Sequence, residues 1–285
     1  MTQIAFATYR NSPEMVADDR LAADILRSDG ISVVSAVWDD PNIDWSRFGR
    51  VVIRSTWDYH YHPERYAEWL RRASAATTLW NPAEAILANI NKRYLAELAN
   101  RGVETTPTEH LSIGDTRRLR DVLTARGWRE AIIKPAVSAS AHKTWRASLT
   151  TADADQTEFA EQLRSHDILV QPFIEEIASR GEWSLMFFGG RYSHAVLKRP
   201  AAGDFRVQEH CGGESAVGDP PPELIRQAQN ILAKVESPLL YARVDGVDLG
   251  GRFLLMELEI NEPSLFLGFS PEAPSRFAEA IKAVL

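Results

Sequence analysis

In the segment Phe253-Leu-Leu-Met-Glu-Leu-Glu-Ile-Asn261, acid and amide side chains alternate with aliphatic ones. A second apolar segment just before it, Leu240-Tyr-Ala-Arg-Val-Asp-Gly-Val-Asp248, carries an arginine and two aspartates. Strand side chains change face at every residue, so Glu257, Glu259 and Asn261 share one face while Leu258 and Ile260 take the other. Arg243 and Asp245 share a face by the same count. A hairpin closing through Asp248-Leu-Gly-Gly251 sets Asp245 opposite the Glu/Asn row, and three or four oxygen ligands would then converge. Oxygen-only donors select a hard cation. Mg²⁺, with Mn²⁺ as the alternative, completes such a shell with water and substrate phosphates. The pattern predicts a nucleotide-using enzyme. The competing reading is an edge hairpin whose acids keep it soluble; the arginine beside the alternating acids weighs against it.

The elements that must position these groups are legible around them. Residues 4–8, 32–38 and 51–54 read as strands, with helical runs at 13–27 and 63–73 between and after them, which is βαβ patterning. Sheets of this kind bind ligands beyond the carboxyl ends of their strands, where Arg54, Ser55, Thr56, Trp57 and Asp58 follow the third strand. These five are the substrate-binding candidates, Trp57 for stacking, although Ser, Thr and Asp after a strand also serve as turn and cap residues. Helices are expected at 83–90 and 92–100, the second stopped by Gly102, and at 115–126 and 154–163. Strands are expected at 131–134, 143–147 and 168–174, where Pro172 should fray the ladder into a linker. A hairpin, 183–188 and 192–197, turns at Gly189-Gly190. The expected organisation is a βαβ substrate domain over 1–88 and a second domain over 89–285, with lobes of about 89–170 and 171–285.

With 285 residues, 45% hydrophobic and 25% charged, the chain is of ordinary globular composition, and its net charge of −7 argues against a nucleic-acid partner. Its one cysteine, Cys211, cannot form an intrachain disulfide, so a cytoplasmic location is expected. No apolar run approaches the roughly 20 residues of a membrane span, so no membrane partner is expected. A homodimer is the default assembly. The seven histidines show no zinc-binding pair spacing, and His210 and Cys211 read as packing residues more readily than as nucleophiles. No glycine-rich phosphate loop of the P-loop or dinucleotide type is present, so phosphate must be held otherwise. Lys92, Lys134, Lys198, Arg199, Arg206 and Arg243 are cations set beside apolar strands, turns or glycines.

These residues resemble the ATP-grasp ligases, in the branch of glutathione synthetase and the ribosomal-protein glutamate ligases. The resemblance spans about 89–267, and its most specific part is Lys198-Arg-Pro-Ala-Ala-Gly-Asp-Phe-Arg-Val-Gln-Glu-His-Cys-Gly-Gly213. Arg54-Ser-Thr-Trp-Asp-Tyr59, Lys134-Pro-Ala-Val-Ser138 and Glu262-Pro-Ser-Leu-Phe266 look most like the small cycloserine synthetase-like proteins. The resemblance implies α/β and α+β architecture, an ATP-grasp fold behind an N-terminal βαβ substrate domain. It further implies that Lys92 and Lys134 hold the α/β-phosphates, with Lys198 also at the nucleotide, and that a loop from Ser138 to Thr144 closes over them. Ser140 and Ala141 stand in that loop where glycines are usual. Gln171 to Ile174, with Phe173 between, resembles the adenine-reading hinge, and Glu175 or Glu182 the ribose-binding acid. Arg243 resembles the arginine at the γ-phosphate and later oxyanion, a role Arg199 or Arg206 would share. Asp245, Glu259 and Asn261 resemble the Mg²⁺ triad, with Glu257 and Glu262 competing for the second place.

The implied activity is ATP-dependent joining of a small amino-acid-like carboxylate to a nitrogen nucleophile through an acyl phosphate. This chemistry needs charge neutralisation, oxyanion stabilisation and exclusion of water. The alternatives are ring closure within one molecule, as in a cycloserine synthetase, a small-molecule kinase, and a non-catalytic nucleotide sensor.

Overall fold

The structure is a computed structural model that describes residues 3–285; Met1 and Thr2, the start of the expected first domain, lie outside the described residues. The chain opens with β1 (Ile4–Thr8), α1 (Ala17–Ser28), β2 (Val33–Val37), β3 (Arg50–Ser55), α2 (Pro63–Ala76) and β4 (Thr78–Trp80). They form a parallel sheet in the order β2-β1-β3-β4. Every residue of β1 is buried, as a strand covered on both faces by crossover helices requires. The expected helix at 13–27 begins only at Ala17, because Met15 sits at φ 70 and breaks the helical path before it.

Helices α3 (Ala83–Asn89) and α4 (Tyr94–Asn100) lead into a second sheet. It contains β5 (Glu109–Leu111), β6 (Glu130–Pro135), β7 (Trp145–Ser148) and β8 (Ile168–Pro172), in the order β5-β8-β6-β7, with α5 (Leu119–Arg126) and α6 (Gln156–Gln162) between strands. The expected helix at 115–126 starts four residues late, since Asp115 uses its carboxylate to accept from the Arg117 backbone N–H and turns the chain. Pro172 does not fray its strand: β8 is central, and the proline is its last residue, opposite Ala131, where a missing N–H costs least.

After α7 (Glu176–Arg180), β9 (Glu182–Phe188) and β10 (Arg191–Arg199) form the expected hairpin, both turn glycines at positive φ. β11 (Glu214–Gly218), α8 (Pro222–Leu232), β12 (Tyr241–Asp248), β13 (Phe253–Glu259) and α9 (Ala273–Lys282) complete the chain. The third sheet is antiparallel, in the order β11-β10-β9-β12-β13. One apolar core joins Ile4, Phe6 and Leu26 of the first sheet layer to Met186, Tyr241 and Phe277 of the last, so the N-terminal unit and α9 bury their faces together. Among the described residues no helix is long and apolar enough to cross a membrane.

Candidate active site

The polar face of β12 and β13 has the register expected from alternation: Arg243 stands opposite Glu259 and Asp245 opposite Glu257. The ladder then slips by one residue between Asp245 and Gly246, leaving Met256 unpaired. A side chain at 246 would not fit, since a Cβ there would lie 2.6 Å from Leu254 O and 2.5 Å from the Phe253 ring. Neighbouring strands contribute the groups in register with these: Ser184 of β9 donates to Asp245 at 2.7 Å, and Lys198 of β10 reaches Glu182 at 2.6 Å and Asp245 at 3.3 Å. Arg243 binds Asp245 at 2.8 Å, Glu259, and the Ser264 carbonyl at 3.1 Å. Lys92 lies 3.1 Å from Glu257 and donates to Ser138 O.

Burial would raise the Asp245 carboxyl, but the charges of Arg243 and Lys198 outweigh it and hold the group at about 2. Burial prevails at Glu259, which rises to about 7 against the pull of Arg243, with the charges of Glu257 and Asp245 adding to the rise. Burial, then the Glu259 charge, pushes Glu262 up to about 8. Burial also lowers the Lys134 ammonium below the usual lysine value, while Glu257 opposes it. Two carboxyls pushed up beside a lysine pushed down mark a candidate functional site.

These groups line one cleft of about 560 Å³. Lys134 projects into it from β6 beside Ile132, while Ile133 between them enters the core of that lobe. Lys134 and Asp245, expected at the two ends of one triphosphate, therefore share a cavity. Also lining it are Lys92, Ser138, Ser140, Gln171, Ile174, Glu182, Lys198, Arg206, Arg243, Glu257, Glu259, Asn261 and Trp57. The loop 138–144 closes across the top, with Ser140, Ala141 and Lys143 at φ 52, 54 and 51, the conformation in which glycine would be free of strain. It is held on both sides: the His142 ring meets Tyr61 edge-on at 5.2 Å and lies 5.4 Å from His60, and His210 contacts Ser140 O at 3.2 Å.

Several candidates lie elsewhere. Arg54 is turned inward: it is 2% exposed, binds Asp19 at 2.9 Å and Pro263 O at 2.9 Å, and stacks on Tyr241 and Phe277. Ser55 pairs with Thr8, Thr56 with the Tyr66 hydroxyl, and Asp58 accepts from Trp38 Nε1, so the substrate segment brings only Trp57 to the cleft. The Phe173 ring lies under Arg146 at 3.8 Å and not in the cleft, because β8 ends at Pro172 and the alternation that would keep Phe173 on the face of Gln171 stops there. Glu175 is exposed just before α7, and Arg199 is exposed at the end of β10, one residue out of phase with Lys198. Nor is the converged ligand group preformed: among the described residues no three acid or imidazole side chains gather to hold a metal ion, since Arg243 spans Asp245 and Glu259.

Sequence reasoning missed Tyr59, Asn89, Phe205 and Phe266 in the lining and Tyr66 behind it. Tyr66 donates to Asn261 Oδ1 at 2.7 Å, while Asn261 Nδ2 is buried without an acceptor. No local signal marks Tyr66, whose partner lies 195 residues away. Tyr59, Phe205 and Phe266 were in reach, as each stands inside a motif already singled out.

Known proteins resemble this chain over most of its length. Residues 4–81 match the family model of the D-cycloserine synthetase DcsG N-terminal domain. The chain is 32% identical over 271 residues to the cycloserine biosynthesis protein DcsG of Streptomyces lavendulae, covering 90% of this chain and 89% of the relative. The crystal structure of D-cycloserine synthetase DcsG superposes with a TM-score of 0.89 at 29% identity, covering 99% of both chains. A D-alanine–D-alanine ligase from Bacillus anthracis, solved with ATP, superposes with a TM-score of 0.68 at 13% identity, over 99% of this chain and 97% of that one. This last likeness is one of fold.

Proposed function

The chain belongs to the ATP-grasp ligases, in the group of the D-cycloserine synthetases, and from that premise we propose that its cleft phosphorylates a small amino-acid-like carboxylate and passes the acyl group to nitrogen. It is an ATP-dependent ligase forming a carbon–nitrogen bond. The observation that carries the reading of the site is the gathering, around one cleft, of Lys92, Lys134, Lys198, Arg206 and Arg243 with the acids of β12 and β13. Lys92 and Lys134 hold the nucleotide phosphates. Gln171 to Ile174 flank the base, and Glu182 takes the ribose.

The donors fit a hard divalent cation. All four candidates, Asp245, Glu257, Glu259 and Asn261, offer oxygen, and the orphaned Asn261 amide end supports a metal role, because the Tyr66 hydroxyl can partner either end of that amide. Mg²⁺ held there would neutralise charge on the transferring phosphoryl group. Arg243, which spans Asp245 and Glu259, is the cation placed for a phosphate oxygen and then for the oxyanion of amine attack. Arg206, tied to Asp204 at 2.8 Å in the loop over the cleft, is the second cation for that oxyanion. The 138–144 loop excludes water, which would otherwise hydrolyse the acyl phosphate. We place the enzyme in the cytoplasm, in keeping with its single cysteine.

ADP release with Mg²⁺, scanned over candidate carboxylates with and without an amine and with hydroxylamine present, tests this. Carboxylate-dependent ADP with hydroxamate formation is expected; ADP formation that no carboxylate stimulates contradicts it. A second reading, ring closure within one molecule, is favoured by the 32% identity to the cycloserine protein. It predicts full ADP release from one carboxylate with no gain from added amine.

A further inference from the structure

Six carboxylates line the cleft, and the five set into its wall, the exposed Glu209 of the covering loop apart, are not equivalent. Glu182 pairs with Lys198, Asp245 with Arg243 and Lys198, Glu257 with Lys92, and Glu259 with Arg243. Glu262 lines the same cleft and, among the described residues, has no lysine, arginine or histidine within ion-pair distance. The cations that could reach it from within the protein are committed elsewhere. Arg54, three residues before Trp57, is locked to Asp19; Arg243 and Lys92 hold the strand acids. Glu262 also lies past the end of β13, outside the alternation that sets Glu257 and Glu259 on the polar face.

Its position is set through its main chain. The Glu262 carbonyl accepts from Trp57 Nε1 at 2.9 Å, the Pro263 carbonyl from Arg54 at 2.9 Å, and the Ser264 carbonyl from Arg243 at 3.1 Å. Trp57 has therefore used its only N–H and can offer a ligand only its ring. Trp57, Tyr59 and Phe266 line the cleft together with Glu262, and Tyr9 backs Trp57 at 5.8 Å. A partly buried carboxyl with no counter-ion among the described residues, set among aromatic faces, is a place that a small cation completes. The carboxylate then supplies the charge and the rings supply their negative faces.

We propose that Glu262 binds the ammonium group of an amino-acid-like substrate, with Trp57 and Phe266 as its aromatic walls. The assignment rests on the ligase reading for the substrate class and extends it by naming the group recognised and the residue that recognises it. It makes the N-terminal unit a specificity element through Trp57, although that unit sends no charge of its own into the cleft.

The test is equilibrium binding to the full chain with Mg²⁺ and ADP, by calorimetry. The probes are D-cycloserine and D-serine, each compared with its amine-free counterpart, isoxazolidin-3-one and 3-hydroxypropanoate. The wild-type chain should bind the amines at least tenfold more tightly than their counterparts. Glu262→Gln should bring that ratio near one, and Glu262→Asp, which keeps the charge, should restore part of it. No amine preference in the wild type, or a preference that survives Glu262→Gln, overturns the proposal. Mn²⁺ binding, followed by electron paramagnetic resonance, separates the metal alternative. If Glu262→Gln loses Mn²⁺ while the amine preference persists, the residue belongs to the metal and the proposal falls with the ligase reading intact. If the amine preference is found but no carboxylate stimulates ADP release, it is the ligase reading that fails.

Discussion

Arg243 and Arg54 occupy similar places in the sequence, each an arginine in or at the end of an apolar strand beside polar residues, yet they have opposite fates. Arg243 faces the cleft and holds Asp245 and Glu259 there. Arg54 faces the core and is sealed by Asp19, the Pro263 carbonyl and two aromatic rings. One arginine is held by partners on its own hairpin, the other by partners from α1 and the loop after β13. The teaching is that a buried cation is read as functional or structural from what it faces, and that Arg54 serves the site by fixing the loop that carries Glu262.

The contrast can be broken by substitution. Arg54→Ala should be the most damaging change, destabilising the fold by about 3–5 kcal/mol because Asp19 is left buried without its partner. Chemical denaturation reads this, and an unchanged midpoint would mean the pair contributes nothing. Replacing both partners by apolar residues, Asp19→Leu with Arg54→Met, should recover much of that loss.

Asp245→Asn should leave the fold intact but lower turnover by about a hundredfold or more, the scale of losing one charge at a developing phosphoryl centre. Its effect should fall on kcat more than on the KM for ATP, whereas Lys134→Ala should raise that KM. Steady-state kinetics separates the two, and equal effects on both parameters in both variants would erase the distinction drawn between the walls of the cleft.

A smaller effect is expected with pH. Burial lowers His194, whose ring contacts the Leu265 and Phe266 carbonyls, and burial lowers His60 to about 4, both from 6.5. The unfolded chain therefore takes up these protons first as pH falls. The stability tied to both is complete above about 6.5 and declines below it, for His60 down to about 4. His60→Gln should flatten part of the fall in Tm between pH 6.5 and 4.5, and an unaltered slope would count against a neutral, buried His60. Least of all, Ser140→Gly and Ala141→Gly should relieve left-handed backbone in the closing loop, by about 1 kcal/mol per residue at most. Slower exchange of that loop's amides, with little change in global stability, is the expected reading.

Much of the architecture was legible because period-two alternation and turn glycines are local. The β12–β13 register, the Gly189-Gly190 turn and the βαβ order all depend on neighbours a few residues apart. Long-range bonds were not legible. Arg54 meets Asp19 across 35 residues and Pro263 across 209, and no residue adjacent to Arg54 announces either. Asn81 stands where the sequence suggests only a break, yet its buried side chain donates to the Tyr241 and Ile260 carbonyls and accepts from the Leu240 N–H, tying β4 to the strands that carry the site. At the hinge, the resemblance concerned the backbone of Gln171 to Ile174, and nothing local showed that the Phe173 ring would turn to Arg146 once β8 ends at Pro172.

The central claim is that one cleft holds the nucleotide between the lysines of the smaller lobe and the oxygens of the last hairpin. A crystal structure with a non-hydrolysable ATP analogue and Mg²⁺ tests it most directly. The account predicts phosphate oxygens at hydrogen-bond distance from Lys92 and Lys134, and the ion on oxygens of Asp245, Glu259 and Asn261. A nucleotide bound outside that cleft, or phosphates that touch neither lysine, would contradict it.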